Sequence, residues 1–303
     1  MAEVPQVLVP PSTDNTALVV ITYKPDGLFI ERIQGAASQF GKVVLVDNSE
    51  SEQLDLRQLD PGMFDITRNG KNIGLAKALN LACERAKKLG FDWVITLDQD
   101  TELYPGFFPG MLDAWSQSSS LTALLGSNYY NVSRSAFRVP PMDLPHIRRQ
   151  TTVITSGCLM HLPTWSAIGM FRGDYFIDSI DHEFCLRVRQ AGFVVAINSR
   201  VGMKHVIGNQ MTYLAPIARF APYRHSVGRK YTRTRNSLRT IIDYGTREPR
   251  WCAKQALGML VELIAIIILE PDKRLRLRAF SLGLLHGWQG KLGSVPAELK
   301  SAQ

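Results

Sequence analysis

The chain is expected to be an α/β protein with a mostly parallel sheet covered by helices and a helical C-terminal extension. Three observations carry that expectation. Short apolar runs alternate with stretches of helical spacing through the first hundred residues. The runs are continuous rather than alternately polar, as in strands buried on both faces. Beyond residue 226 the spacing is helical almost throughout.

Taken in order, A-L-V-V-I-T-Y (17–23) is the first strand, and L-F-I-E-R-I-Q-G-A-A-S-Q-F (28–40) has helical spacing with Gly41 behind it. K-V-V-L-V-D (42–47) is the second strand, and a polar linker leads to I-T-R-N-G-K-N (66–72). A helix follows from Leu75 to Leu89, stopped by Gly90, and then the strand W-V-I-T-L-D (93–98). From 121 to 216 the pattern is less regular: a loop rich in Arg and Pro (Arg134–Arg149), an apolar run T-T-V-I-T-S-G-C-L-M-H (151–161) and a helix starting near Asp181. Three helices close the chain: Val227–Tyr244, Trp251–Leu269 stopped by Pro271, and Lys273–Leu292. In such sheets ligands bind beyond the carboxyl ends of the strands. Asp47 and Asp98 stand at two such ends.

With 303 residues, 45% hydrophobic and 20% charged, the chain can bury a full core. Its four cysteines form no C-x-x-C pair, so neither a disulfide framework nor a zinc knuckle is expected. The acidic, proline-rich N-terminus does not read as a signal peptide, which predicts a cytoplasmic location. Charge divides the chain at about residue 216: residues 1–216 carry 19 Lys and Arg against 21 Asp and Glu, net −2, and residues 217–303 carry 16 against 6, net +10. Two regions are expected accordingly, a catalytic domain over 1–216 and a basic helical region over 217–303. A +10 tail predicts an anionic partner. No nucleic-acid motif accompanies it, so nucleic acid is excluded and an anionic membrane surface is preferred.

The uninterrupted apolar stretch 257–269 is 13 residues long and contains Glu262, short of the ~20 residues a spanning helix needs. Two readings stand: the core of a helical hairpin, through which a homodimer could form, or an interfacial helix flanked by Lys273, Arg274, Arg276 and Arg278 with Trp251 and Trp288 nearby.

The chemistry concentrates at L-D-Q-D-T (97–101). Two carboxylates one residue apart repel unless a cation or proton lies between them. Oxygen ligands favour Mg²⁺ or Mn²⁺, and Mg²⁺ held by one or two carboxylates completes its shell with substrate phosphates. A phosphate-bearing substrate follows. The alternative is a solvated turn with two surface acids.

Eight motifs stand in order along residues 17–240: V-I-T-Y-K-P (20–25), V-L-V-D-N-S (44–49), Asn69 with N-I-G-L-A-K-A-L-N (72–80), T-L-D-Q-D (96–100), T-S-G (155–157), F-I-D-S-I-D-H-E-F-C-L-R (176–187), K-H-V-I-G (204–208) and Y-T-R-T-R-N (231–236). Together they resemble the family 2 glycosyltransferases of the GT-A (nucleotide-diphospho-sugar transferase) fold, and within them the bacterial rhamnosyltransferases. The resemblance implies a metal-dependent inverting enzyme that takes L-rhamnose from dTDP-L-rhamnose to a saccharide or lipid-linked acceptor in surface polysaccharide synthesis, on the inner face of the cell membrane.

It also implies roles for single residues. Thr22, Tyr23 and Asp47 would contact the nucleotide, with an Asx turn as the alternative for Asp47. Asn72, Gly74 and Lys77 match the nucleotide-side loop and helix, where Asn72 could equally serve only as a cap. Asp98 and Asp100 match the metal-binding acids, Asp98 also lying toward the ribose, and His205 matches a histidine that joins the metal in several relatives or is otherwise structural. Asp181 matches the catalytic base, with Glu183 as its competitor and helix capping as the alternative role. Ser156 and Gly157 match the loop near the sugar and acceptor. Arg235 and Asn236 match an element whose guanidinium suits a diphosphate, the alternative for Arg235 being an ordinary surface charge. Two competing functions remain: metal-dependent sugar nucleotidyl transfer, for which T-Y-K-P-D-G is a poor phosphate loop, and a non-catalytic membrane-associated scaffold of the same fold.

Overall fold

The computed structural model describes residues 7–53, 55–132, 135–142, 146–205 and 225–300. Two compact units divide the chain, Met1–Phe171 with Phe184–Val206, and Arg172–Glu183 with Ile207–Gln303. The expected boundary at 216 lies outside the described residues, and the second unit takes in the acidic segment 172–183 as well as the C-terminal helices.

The first unit is built on one sheet of ten strands among the described residues, with β3-β2-β1-β4-β9-β6-β10-β5 as its main order. The strands are β1 Thr16–Thr22, β2 Val43–Asp47, β3 Phe64–Arg68, β4 Trp93–Asp98, β5 Glu102–Leu103, β6 Thr122–Asn131, β7 Ala136–Phe137, β8 Ile147–Arg149, β9 Cys158–His161 and β10 Val194–His205. The four strands at one side are parallel, as is the β6–β10 pair, whereas β9 runs antiparallel to both β4 and β6. The sheet is therefore mixed, with β9 inserted between two parallel sets. Every residue of β1 and β2 is buried, which explains their continuous Val, Ile and Leu: neither face meets water. Burial of each such side chain contributes about 1.5–3 kcal/mol.

Helices α1 Phe29–Ala37, α2 Leu75–Lys88, α3 Phe107–Ser116 and α4 Leu162–Ala167 belong to this unit, and α5 Ile180–Gln190 places its first turn in the second unit. Gly90, with φ of +93°, follows the α2 terminus as a left-handed stop that a Cβ would disfavour. The last turn of α2 carries Arg85, Lys87 and Lys88 against the helix dipole. All four cysteines are buried thiols outside any disulfide.

The second unit holds α6 Val227–Tyr244, α7 Pro249–Ile268, α8 Lys273–Gln289 and α9 Ala297–Lys300. Pro249 opens α7 at a position where its missing N–H costs nothing, so the helix begins two residues before Trp251. Gly290, in the left-handed conformation, ends α8 three residues before the expected end. Glycines 283 and 287 let α8 approach α6: a Cβ on Gly287 would lie 2.6 Å from the Arg235 carbonyl. A buried ionic cluster ties the three long helices together. Lys230 of α6, wholly buried, lies 3.1 Å from Glu262 of α7 and 2.6 Å from Glu270, and Glu270 meets Arg276 of α8 at 2.8 Å.

Candidate active site

Parallel pairing puts the carboxyl ends of β1, β2 and β4 in one row. Thr22 is level with Asp47, and Ile21 with Asp98. The Thr22 hydroxyl donates to Asp47 Oδ1 at 3.1 Å, and the Ser49 N–H donates to the same oxygen at 3.1 Å. Asp47 thus makes the Asx turn while its carboxylate stays at the strand end. Asn48, which the sequence reading passed over, knits the next loops: its Oδ1 accepts from Asn69 Nδ2 (3.0 Å) and the Ile73 N–H (3.1 Å), and its Nδ2 donates to Asn72 Oδ1 (3.1 Å). Asn72 Oδ1 also accepts the Gly74 N–H at 2.9 Å. Gly74 has a φ of +88° at the start of α2, a conformation suited to glycine. Lys77 lies on the exposed face of α2.

The acids after β4 meet a histidine that is distant in sequence. β5 follows Asp100 directly and pairs antiparallel with the end of β10, Met203 against Leu103 and Lys204 against Glu102. That pairing carries His205 to the acids. His205 Nε2 lies 3.8 Å from Asp98 Oδ2, His205 Nδ1 lies 3.8 Å from Asp100 Oδ1, and ligand atoms of all three residues fall within 4.8 Å of one another. The carboxylates are partly exposed and the imidazole is nearly buried, held edge-on by Tyr129 with ring centroids 5.7 Å apart. Two carboxylates and an imidazole suit Mg²⁺ or, better, Mn²⁺, and the donor set fits the ion expected from the sequence.

Residues 99, 101 and 156 hydrogen-bond around these three side chains. Gln99, the middle residue of D-Q-D, accepts the Tyr23 N–H at 2.7 Å and donates to the Tyr23 carbonyl at 3.1 Å, so its amide joins the β1 loop to the acid loop as a peptide would. Tyr23 itself is partly exposed, with its hydroxyl on Glu50 at 3.2 Å. Ser156 Oγ accepts the Asp98 N–H at 3.1 Å and lies 2.7 Å from the Thr101 hydroxyl. Gly157, at φ +69°, packs where a Cβ would overlap the Met203 side chain. Gln99 and Thr101 were legible only as polar neighbours of the acids.

The acidic segment of the second unit is organised by helix α6. Asp181 is half-buried in the first turn of α5 and accepts its neighbour's N–H, from His182, at 2.8 Å. Glu183 is buried and accepts from the Tyr244 hydroxyl at 2.8 Å. Of the two competitors, Asp181 is therefore the carboxylate that solvent reaches. Phe176, Asp178 and Ser179 all have positive φ, between 58° and 68°, a strain of about 1–3 kcal/mol each that surrounding contacts must offset.

Arg235 and Asn236 supply those contacts. Asn236 Nδ2 donates to the carbonyls of Tyr175, Ile177 and Asp178 at 2.8–2.9 Å, and Arg235 Nη2 reaches the Tyr175 carbonyl at 3.2 Å. Both side chains are wholly buried, with the Arg235 guanidinium 5.1 Å from the Tyr231 ring centre. Neither the diphosphate contact nor the surface charge expected of Arg235 matches this placement, because every face of the guanidinium packs against protein. Asp178 adds an anchor: it lies 2.6 Å from Arg229 and 2.7 Å from the Thr232 hydroxyl. Burial alone would raise its carboxyl pKa, but Arg229 outweighs that and holds it below the ordinary value. The glycine that closes K-H-V-I-G, Gly208, lies outside the described residues.

The Shigella flexneri dTDP-rhamnosyl transferase RfbF is 26% identical over 297 residues, covering 92% of this chain and 97% of that protein. Among solved structures, S. aureus TarS 1-349 in complex with UDP-GlcNAc superposes with a TM-score of 0.62 at 11% identity, over 95% of this chain and 83% of that one. GalNAc-T7 with UDP, GalNAc and Mn²⁺ gives 0.55 at 13% identity, over 75% of this chain but only 48% of that one. Residues 18–175 match the family model of glycosyl transferase family 2, just over half of the sequence, and the chain belongs to that family.

Proposed function

We propose that this glycosyltransferase moves L-rhamnose from dTDP-L-rhamnose, with inversion, to a saccharide or lipid-linked acceptor of a bacterial surface polysaccharide. The observation that carries the reading is the convergence of Asp98, Asp100 and His205 at the carboxyl ends of strands whose neighbours present Thr22 and Asp47. The likeness to RfbF over nearly the whole chain supports the choice of sugar. Asp98, Asp100 and His205 would hold Mg²⁺ or Mn²⁺, which when bound supplies Lewis-acid stabilisation of a leaving diphosphate worth several kcal/mol. Thr22, Tyr23 and Asp47, with the Asn72–Lys77 loop and helix, are assigned to the nucleotide, and Ser156 and Gly157 to the sugar side.

In the reaction the acceptor hydroxyl oxygen forms a bond to the anomeric carbon as the bond from that carbon to the diphosphate oxygen breaks. The hydroxyl proton passes to the Asp181 carboxylate, and dTDP leaves with the electron pair. One base suffices, and no covalent sugar–enzyme intermediate is formed. In a donor panel containing dTDP-L-rhamnose and UDP-GlcNAc with Mn²⁺, dTDP-L-rhamnose should be turned over fastest and EDTA should stop turnover until Mn²⁺ is restored. Preference for another donor would overturn the sugar assignment. Turnover that survives chelation would remove the metal, and no turnover of any donor would favour the scaffold reading. Release of pyrophosphate from a nucleoside triphosphate would instead favour nucleotidyl transfer.

The anionic partner is assigned to helix α7. At 20 residues the helix is long and apolar enough by length and composition to cross a membrane. Its buried side, however, carries Glu262, paired with Lys230. Leu257, Leu260, Val261, Ile264, Ile267 and Ile268 recur at helical spacing and are 41–65% exposed. Arg250 and Lys254, seven and three residues before Leu257, continue the same face, and exposed Lys273 and Arg274 stand just past its other end. A homodimer on this face would set these cations against one another in either orientation. An anionic bilayer complements both ends while taking up the apolar middle. The helix is thus assigned to lie in the plane of the cytoplasmic leaflet. Vesicles rich in phosphatidylglycerol should float the protein at low salt, and Leu260→Glu with Ile264→Glu should abolish flotation; no flotation of the unaltered chain at low or high salt would defeat the assignment.

A further inference from the structure

The main-chain pairing of β1 with β4 ends at Ile21 against Asp98. Beyond it one more rung is supplied by a side chain. Gln99 Oε1 accepts the Tyr23 N–H at 2.7 Å, and Gln99 Nε2 donates to the Tyr23 carbonyl at 3.1 Å. Both partners are main-chain groups, an N–H that can only donate and a carbonyl that can only accept, so the amide has one orientation. The main chain of Gln99 is fastened to the same loop by a second route. Its carbonyl accepts from Arg32 Nε at 3.2 Å, and Arg32 Nη2 donates to Asp26 Oδ1 at 2.6 Å.

The loop after β1 depends on such contacts. Lys24 has a φ of +48° directly before a proline, a conformation that a residue other than glycine adopts only where its surroundings impose it. The Lys24 N–H donates to Ser49 Oγ at 2.9 Å, and the Gln99 amide holds the residue before it. The turn that carries the acids, by contrast, is closed without the amide: the Thr101 N–H donates to the Asp98 carbonyl at 3.1 Å, and the Asp98 N–H donates to Ser156 Oγ at 3.1 Å. Removing the Gln99 amide therefore frees the β1 loop and leaves the acids in place.

We infer that Gln99 is a positioning residue that fixes the distance from the nucleoside end of the site, at Tyr23, to the cation end, at Asp98 and Asp100, and so sets the preference for a diphosphate between them. The inference rests on the nucleotide and metal assignments proposed above and adds a residue whose amide is engaged by the chain itself. A ligand held at both ends binds tightly only when its length matches the gap. With the spacing fixed, two phosphates reach the ion and one falls short; with the loop free, that advantage shrinks.

The test compares the unaltered chain with Gln99→Met, which keeps the length of the side chain and removes both hydrogen bonds, and with Arg32→Met, which breaks the second route and keeps the amide. Calorimetry gives the affinities of dTDP and dTMP with Mn²⁺ and of thymidine without it, and electron paramagnetic resonance of free Mn²⁺ gives the affinity of the ion alone. None of these needs turnover. In Gln99→Met the dTDP affinity with Mn²⁺ should fall about 5–150-fold, the usual range of coupling between two sites, while thymidine and Mn²⁺ alone bind within about twofold of the original. The advantage of dTDP over dTMP should fall with it, and Arg32→Met should shift that advantage in the same direction. An unchanged advantage of dTDP over dTMP in Gln99→Met overturns the inference. So does an equal loss of Mn²⁺ affinity in the absence of nucleotide, which would make the amide a support of the acids rather than a spacer. An unaltered chain whose dTDP affinity does not rise with Mn²⁺ overturns the metal reading and the inference with it, a result distinct from a metal-dependent chain that is indifferent to Gln99.

Discussion

Asp181→Asn should lower sugar transfer by on the order of 10²- to 10⁴-fold, the usual contribution of a positioned general base, with donor affinity unchanged. The substitution keeps the size and the hydrogen bond to the His182 N–H but leaves no group able to take the acceptor proton. Glu183 is poorly placed to substitute, since its carboxylate is buried and held by the Tyr244 hydroxyl. Binding of dTDP-L-rhamnose, followed by calorimetry with Mn²⁺, should match that of the unaltered enzyme, because the residues proposed for the nucleotide and the metal all belong to the first unit. Turnover within twofold of the original would dismiss Asp181 as the base. A parallel loss in Glu183→Gln accompanied by a lower melting temperature would mark that residue as structural rather than chemical.

Lys230→Met should destabilise the helical unit by about 3–5 kcal/mol, the usual cost of removing one partner from a buried ionic group. The ammonium is wholly buried between Glu262 and Glu270, and methionine fills the volume while leaving two carboxylates to share Arg276 and the more distant Arg233, 4.0 Å from Glu262. Against a total stability of about 5–15 kcal/mol the loss is large, and it should appear as a fall of roughly 10 °C in melting temperature. Adding Glu262→Gln to Lys230→Met removes one of the stranded charges and should recover part of the loss. A Lys230→Met chain as stable as the original would mean that water or the protein relaxes around the glutamates, and that the cluster does not hold α6, α7 and α8 together.

The first hundred residues were readable because their periodicity is a direct consequence of burial. β1 and β2 are apolar at every position since both faces are covered, and α2 ends where Gly90 takes up the left-handed conformation. The C-terminal helices were placed within a few residues for the same kind of reason, with Pro249 and Gly290 setting the true ends. Asp98 and Asp100 were readable as a pair because their mutual repulsion is a local property, visible at one residue's separation. The strand β9 was less clear: the apolar run 151–161 is nearly three times as long as the strand it contains, and nothing local says that it pairs antiparallel on both sides.

What the sequence determined by itself was therefore the class of fold, the acids that call for a cation, and the concentration of positive charge in the last third, each of which depends on neighbours along the chain. What tertiary structure alone decided was the company those residues keep. His205 reaches the acids because β5 pairs with the end of β10, a contact a hundred residues apart. Arg235 became a buried clamp on strained backbone, although a guanidinium in a basic stretch reads equally well as a phosphate ligand. Charge and polarity are written into a residue, but whether it spends them on a ligand, on solvent or on its own chain depends on what the fold brings within about 3 Å, the reach of a hydrogen bond.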